Sequence, residues 1–192
     1  MKKLILASGS PRRKQLLEQA QLEFSISTSS VDESFNQTET PDQVVEQLAE
    51  RKARDVFLRH EDCIIIGADT IVSINGEILG KPNNEEEAKE MLRLLSGKNH
   101  EVYTGVAIIS DEKTFSFHER TVVSFLPLEE SDIESYIASG EPFDKAGSYG
   151  IQGLGALFVN KIDGCYFNVV GLPLARTVRE LKNFQHLIRN RE

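Results

Sequence analysis

LILASGSPRRKQLL, Leu4 to Leu17, joins a strand, a turn and a helix start in one continuous stretch. The apolar run Leu4-Ile5-Leu6-Ala7 reads as a buried strand. Ser8, Gly9 and Ser10 are small enough to let the backbone turn tightly. Pro11 then takes the first helical position, with Ser10 as the expected N-cap. Arg12 and Arg13 follow in the first turn, where the helix already carries partial positive charge, so both disfavour the helix they sit in. Either they are solvated arginines on a surface turn, or they complete an anion site of backbone N–H groups, hydroxyls and guanidinium forks. On the second reading they are a stability cost retained for function, and neutralising both leaves stability unchanged or raised.

Outward from this stretch, strand and helix signals alternate. Phe24 to Thr28 alternates as a half-buried strand, and Ser29 to Thr40, which holds Asp32 and Glu33, is a polar exposed loop. Thr40, Pro41 and Gln43 mark a strong helix start. Its apolar stripe is Val44, Val45, Leu48, Ala49, Ala53, Val56 and Phe57, with Lys52 near the edge. Cys63 to Ile66 is a fully apolar strand running into Gly67-Ala68-Asp69-Thr70. Ile71–Ile74 and Glu77–Leu79 form a hairpin about Asn75-Gly76. Asn83 or Asn84 caps a helix with Ala88, Met91, Leu92 and Leu95 inward, and Gly97 stops it. Val102–Ile109 and Thr114–Phe125 are two long strands. Glu129–Ala138 is a short helix ending at Gly140, followed by a glycine-rich loop, Asp144 to Gly155. Ala156–Val159 and Tyr166–Val170 read as strands flanking Asp163-Gly164. Leu172 to Ile188 is the closing helix, with Leu174, Val178, Leu181, Phe184 and Ile188 facing in. The expected fold class is α/β, a mixed sheet with helices packed on it.

At 192 residues the chain suits one or two domains with a sizeable core. Its net charge of −8 argues against a nucleic-acid backbone as partner, because that needs a basic surface. A phosphate ligand then requires a locally positive cleft. Cys63 and Cys165 sit in apolar contexts without short spacing and read as buried free thiols of a reducing compartment. No signal-peptide pattern and no bilayer-length apolar run is present, so a soluble, cytoplasmic protein without membrane partners is expected.

Asp69 follows an apolar strand at a Gly-Ala break, and the carboxyl end of a strand is where open α/β sheets place ligands. It either binds a divalent metal or takes a proton from water, or it caps its own turn. Lys81, between Gly80 and Pro82, can reach a phosphate as a point charge or be a surface turn lysine. Lys52 and Glu33, taken singly, read as solvated side chains. Gly147, Gly150, Gly153 and Gly155 permit positive φ and close backbone approach to a ligand. Gln152 among them offers an amide that suits a nucleobase edge. No Walker-type phosphate loop, no G-x-S-x-G elbow and no histidine ligand spacing occurs. A metal site would be poor in carboxylates and would borrow substrate oxygens, the habit of Mg²⁺ at phosphates.

The blocks ASGSPRR, EQLAERKA, GADTIV, LGKP, LSGKNHEVYTGV, DKAGSYGIQG and VVGLPL fall in this order from Leu4 to the last helix. Together they resemble the Maf family of nucleotide pyrophosphatases, first noted as inhibitors of septum formation, and most closely its dTTP/UTP branch. The resemblance implies one domain over residues 1–192. It would be an elongated twisted sheet with two lobes around a deep central cleft, similar to inosine triphosphate pyrophosphatases and often a homodimer. It implies that Ser8, Arg12, Arg13, Lys52 and Lys81 hold the triphosphate. Glu33 and Asp69 would bind a divalent cation, Mg²⁺ or Mn²⁺, with Asp69 also the catalytic proton acceptor. Arg12, Thr70 and Gln152 would select the pyrimidine. The implied reaction is attack of water on the α-phosphorus, giving a monophosphate and pyrophosphate. Two alternatives stay open at this level: a nucleotide-binding regulator of septum formation with incidental hydrolysis, and the same chemistry on a purine or 7-methyl-GTP substrate.

Overall fold

The computed structural model describes residues 2–36 and 38–187. The chain opens with β1 (Lys3–Leu6), α1 (Pro11–Gln19), β2 (Ser25–Ile26) and α2 (Pro41–Phe57). It continues through β3 (Cys63–Ile74), β4 (Glu77–Leu79), α3 (Glu85–Leu95), β5 (Asn99–Ile109), β6 (Thr114–Phe125) and α4 (Glu130–Ala138). Three 3₁₀ turns, Glu141–Asp144, Ala146–Ser148 and Leu154–Phe158, lead to β7 (Val159–Asp163), α5 (Tyr166–Val170) and α6 (Leu174–Leu181). Among the described residues the strands form one mixed sheet ordered β2-β1-β3-β5-β6-β7, with β4 paired to β3. β1 is parallel to β2 and β3, and the β3–β5–β6–β7 run is antiparallel. The expected mixed α/β class holds. No helix among the described residues is long and apolar enough to cross a membrane.

Local chemistry sets most boundaries. Ser10 accepts from the Arg13 N–H at the start of α1, Thr40 and Gln43 form a capping box on α2, and Asn84 accepts from the Glu87 N–H at the start of α3. Asn75 (φ 53°) and Gly76 (φ 85°) both take positive φ, as a two-residue type I′ hairpin requires. Val44, Val45, Leu48, Ala49, Ala53 and Val56 of α2 are buried, as their spacing predicts.

Several expectations fail, the first two for reasons visible in the packing. First, Gly67-Ala68 does not break a strand. β3 runs unbroken for twelve residues, and Gly67 is a contact point. A Cβ there would overlap the Ala49 carbonyl oxygen, and one at Gly105 on β5 would overlap that of Val45, so both glycines let the α2 backbone lie directly on the sheet. Second, Tyr166–Val170 is a helix, and Ala156–Phe158 is a 3₁₀ turn. Asn168 is fully buried in α5 and its amide donates to Val102 O and Thr121 Oγ1, tying a helical turn onto β5 and β6. The short apolar run was compatible with either state. Third, the strand at Phe24–Thr28 shrinks to Ser25–Ile26, an edge pair with both side chains exposed. The closing helix ends at Leu181 and continues as a 3₁₀ turn, Lys182–Leu187. Leu174, Leu181 and Phe184 are buried as expected, and Ile188 lies outside the described residues. Cys63 is buried, but Cys165 is only half-buried; both are free.

Side chains alternate across β3. Ile65 and Ile71 face α2 along with Asp69, while Ile66, Ala68 and Val72 face the helices on the other side. On that second face two apolar clusters, one with Ala68 and Val106 and one with Val72 and Val102, are separated by Thr70 and Thr104. Gly67→Ala and Gly105→Ala should each lower stability by about 1–3 kcal/mol or more, since the obstacle is helix backbone. Gly80→Ala, with open space around the position, should leave the midpoint of a urea melt nearly unchanged.

Candidate active site

β1 pairs with β3 only as far as Leu6 opposite Ile66, and the Ala7 N–H still donates to Ile66 O. The chain then turns through Ser8-Gly9-Ser10 into α1 while β3 continues. From Gly67 to Ile71, before β4 pairs with it at Val72, β3 has β5 on one side only, and a cleft of about 580 Å³ opens along the vacated edge. Asp69 therefore sits mid-strand, opposite Gly105, and not at a strand end as the sequence suggested. What ends there is its neighbour. Because Asp69 and Thr70 are consecutive, they point to opposite faces of the sheet, yet both line the cleft.

Ser8, Arg12, Arg13, Glu33, Lys52, Asp69, Thr70, Lys81 and Gln152 all line this one cleft. Lys52 reaches from α2 to the α2 face of β3. Its Nζ donates to Asp69 Oδ1 at 2.6 Å and lies 2.9 Å from Glu33 Oε1. Lys52 and Asp69 are largely shielded, with side chains 12% and 10% exposed. Glu33 arrives on the loop before α2, which is not loose. Arg51 donates to Ser34 O, Arg59 to Thr28 O, and Asp55 accepts from the Ser30 N–H. Burial pushes the Glu33 carboxyl up, but the hydrogen bond and charge of Lys52, with Lys81 and Arg13 behind it, hold it below the usual carboxylate range.

The two arginines part ways. Arg13 donates through Nε to Gly171 O (2.8 Å), through Nη1 to Ser8 Oγ (3.2 Å) and through Nη2 to Thr70 Oγ1 (3.0 Å). Thr104 Oγ1 donates to Asn168 O, so the 2.9 Å contact between the threonine hydroxyls must be a donation from Thr70. The hydrogens thus run one way, Arg13 to Thr70 to Thr104 to Asn168 O, and toward a ligand Thr70 can only accept. Arg12 instead crosses the cleft to Asp144 Oδ2 at 3.0 Å. Both arginines therefore bond protein acceptors. The expectation that they burden stability without structural return is corrected: removing Arg13 leaves the Gly171 carbonyl without its guanidinium donor.

The far wall is the glycine-rich loop, and its glycines serve the protein itself. Only Gly147 of the four takes positive φ. A Cβ on Gly150 would lie 2.6 Å from Lys145 Cε, and one on Gly153 would overlap the Glu141 carboxylate. Glu141 accepts from the Leu154 and Gly155 N–H groups and from Tyr136 Oη. The loop thus wraps its own side chains, and Gln152 is presented, exposed, between two of these glycines. Behind it Tyr149 is buried, 2.7 Å from His100 Nε2. His100 stacks edge-on against Phe125 and Tyr149.

The donor set bears on a metal. Two carboxylates converge on one positive charge, and among the described residues no cluster of three or more His, Cys, Asp or Glu could hold an ion by itself. Two hard oxygen donors fit a Mg²⁺-like ion that completes its shell from water and ligand oxygens, and do not fit a zinc centre.

A family model described as Maf-like protein matches residues 3–184. The chain belongs to the Maf family. A Bacillus cereus relative named dTTP/UTP pyrophosphatase is 60% identical over 184 residues, 96% of each chain. A Bacillus mycoides relative of the same name matches to the same extent. Among solved structures, the Staphylococcus aureus Ham1 protein aligns with 65% of this chain and 72% of its own, at 13% identity and a TM-score of 0.45.

Reading the sequence of this Maf chain did not single out Asp144 and Lys145, which line the cleft beside Gln152. The signal was an adjacent acid–base pair at the mouth of the glycine run, overlooked because the glycines drew the ligand argument. Burial alone would raise Asp144, but hydrogen bonds from Lys145 and Arg12 hold its pKa below the usual range.

His100 gives a pH test of the wall behind the loop. It is 1% exposed, its Nδ1 has no hydrogen-bond partner among the described residues, and burial pushes its pKa down to about 4. The unfolded chain binds this proton near pH 6.5, so its contribution is fully present above that value and is lost as pH falls toward 4. The loss amounts to roughly 3 kcal/mol, at about 1.4 kcal/mol per tenfold change in proton affinity. Urea melts at pH 7 and pH 4.5 should differ less for His100→Gln than for the unaltered chain; an equal difference would remove His100 from the account.

Proposed function

We propose that this chain is a nucleoside triphosphate pyrophosphatase that hydrolyses dTTP and UTP to the monophosphate and pyrophosphate. The observation that carries the reading is the convergence of Glu33 and Asp69 on Lys52 in a cleft whose remaining charged side chains are mostly cations. The names of relatives 60% identical over 96% of the chain support the substrate pair. A homodimer and a cytoplasmic location are part of the same proposal.

In this reading Ser8, Arg13, Lys52 and Lys81 bind the triphosphate oxygens, Arg13 from a guanidinium already braced against Gly171. Asp69 takes a proton from water. The water oxygen bonds to the α-phosphorus, and the bond from that phosphorus to the bridging oxygen of the β-phosphate breaks. The electron pair leaves with pyrophosphate, whose growing charge the cations offset. Glu33 and Asp69 would hold a Mg²⁺ or Mn²⁺ ion, which supplies further charge neutralisation at the phosphates. Arg12, Thr70 and Gln152 read the base, Thr70 as an acceptor only.

The test is a panel of nucleoside triphosphates assayed for pyrophosphate. Activity should concentrate on dTTP and UTP, and Asp69→Asn should lower turnover by about 10²–10⁴-fold with an unchanged thermal melt. Orthophosphate as the first product would refute attack at the α-phosphorus, and full activity of Asp69→Asn would remove that residue from the reaction.

A further inference from the structure

We infer that Asp144 is a positioning residue for nucleotide selection, holding the Arg12 guanidinium at a fixed reach from Gln152 on the opposite wall. This deepens the proposed function and rests on it.

Arg12 and Gln152 stand on separate elements, α1 and the glycine-rich loop. Two base-reading groups so placed discriminate only if their spacing is set before the ligand arrives. An ion pair supplies the link: Arg12 Nη1 donates to Asp144 Oδ2 at 3.0 Å, joining residues 132 positions apart. Asp144 by itself would be a poor anchor, since its side chain is 63% exposed. Lys145 makes it a firm one. Its Nζ donates to Asp144 Oδ1 and to Glu141 O, each at 2.6 Å. Its stem fills the space that Gly150 leaves by lacking a Cβ. Glu141 in turn accepts from the Leu154 and Gly155 N–H groups, with Gly153 closed over its carboxylate. The path Arg12–Asp144–Lys145–Glu141 therefore ends on Leu154 and Gly155, just past Gln152, and its Lys145 packs against Gly150 on the other side.

The chemistry at the Arg12 end fits base reading. Of five guanidinium N–H donors the described structure commits one, so the rest are left for carbonyl acceptors on a ligand. Arg12 meets its counter-ion, Asp144, on the loop that also carries Gln152. Lys52 is paired instead with Glu33 from the loop before α2 and with Asp69 from β3.

A double-mutant cycle tests this, with kcat and KM measured on dTTP, UTP, dCTP and dATP for the unaltered enzyme, Asp144→Ala, Arg12→Ala and the double variant. Asp144→Ala should cut the preference for dTTP and UTP about tenfold, mainly through KM, and Asp144→Glu should restore part of it. In the Arg12→Ala background, Asp144→Ala should have no further effect on preference. An equal loss on all four triphosphates, an unchanged preference, or additive effects in the double variant would each overturn the assignment. Binding of inorganic tripolyphosphate supplies a readout of anion binding without a base and should stay the same in Asp144→Ala. Several-fold tightening with preference intact would make Asp144 a competitor for the anion and overturn positioning. An unaltered enzyme without pyrimidine preference would instead sink the substrate reading itself.

Discussion

The helix α2 lies on bare backbone. Gly67 and Gly105 remove the side chains that would hold it away from β3 and β5, so the Ala49 and Val45 carbonyls come down onto the sheet. A helix normally packs on a sheet through side chains that hold the two backbones apart; here Lys52 starts close enough for its ammonium to meet Asp69 on the strand beneath. The same helix anchors, through Arg51, Asp55 and Arg59, the loop that delivers Glu33. Three charged groups from three segments thus owe their meeting to two absent methyl groups.

The second dependence is topological. β1 stops where β3 carries on, and the strand edge left behind becomes the cleft floor. Consecutive residues on that edge take different tasks because a strand alternates its faces. Asp69 joins the charges under α2, and Thr70 joins the one-way hydrogen-bond chain that starts at Arg13 and ends at Asn168 O. That chain occupies the seam between two apolar clusters, so the polar floor of the cleft is also the boundary of the packing on that face.

Elements with a local cause were legible in the sequence. The caps at Ser10, Thr40 and Asn84, the Asn75-Gly76 turn and the stripe of α2 each follow from interactions within a few residues. Every nominated site residue reached the cleft, most of them through the block pattern of the family, since Glu33 and Lys52 alone look like ordinary surface charges. What stayed hidden was non-local. Gly67 read as a break because nothing nearby reveals a helix pressed against it. Tyr166–Val170 read as a strand because the deciding bonds run from Asn168 to β5 and β6. The glycines of residues 147–155 read as room for a ligand, when that room is filled by Val72, Lys145, Glu141, Tyr136 and the loop's own backbone. Asp144 and Lys145 escaped notice for the same reason.

The cleft's own charges differ in sign from those of the chain. Arg12, Arg13, Lys52, Lys81 and Lys145 face Glu33, Asp69 and Asp144, a surplus of two positive charges in a protein of net charge −8. At a distance an anion is repelled, and only within about one Debye length, near 10 Å at 0.1 M salt, does the local field take over. Added salt screens the outer repulsion first and the shielded inner pairs last. Capture by this cleft is therefore a short-range event, less dependent on long-range steering than it would be in a basic protein of the same shape.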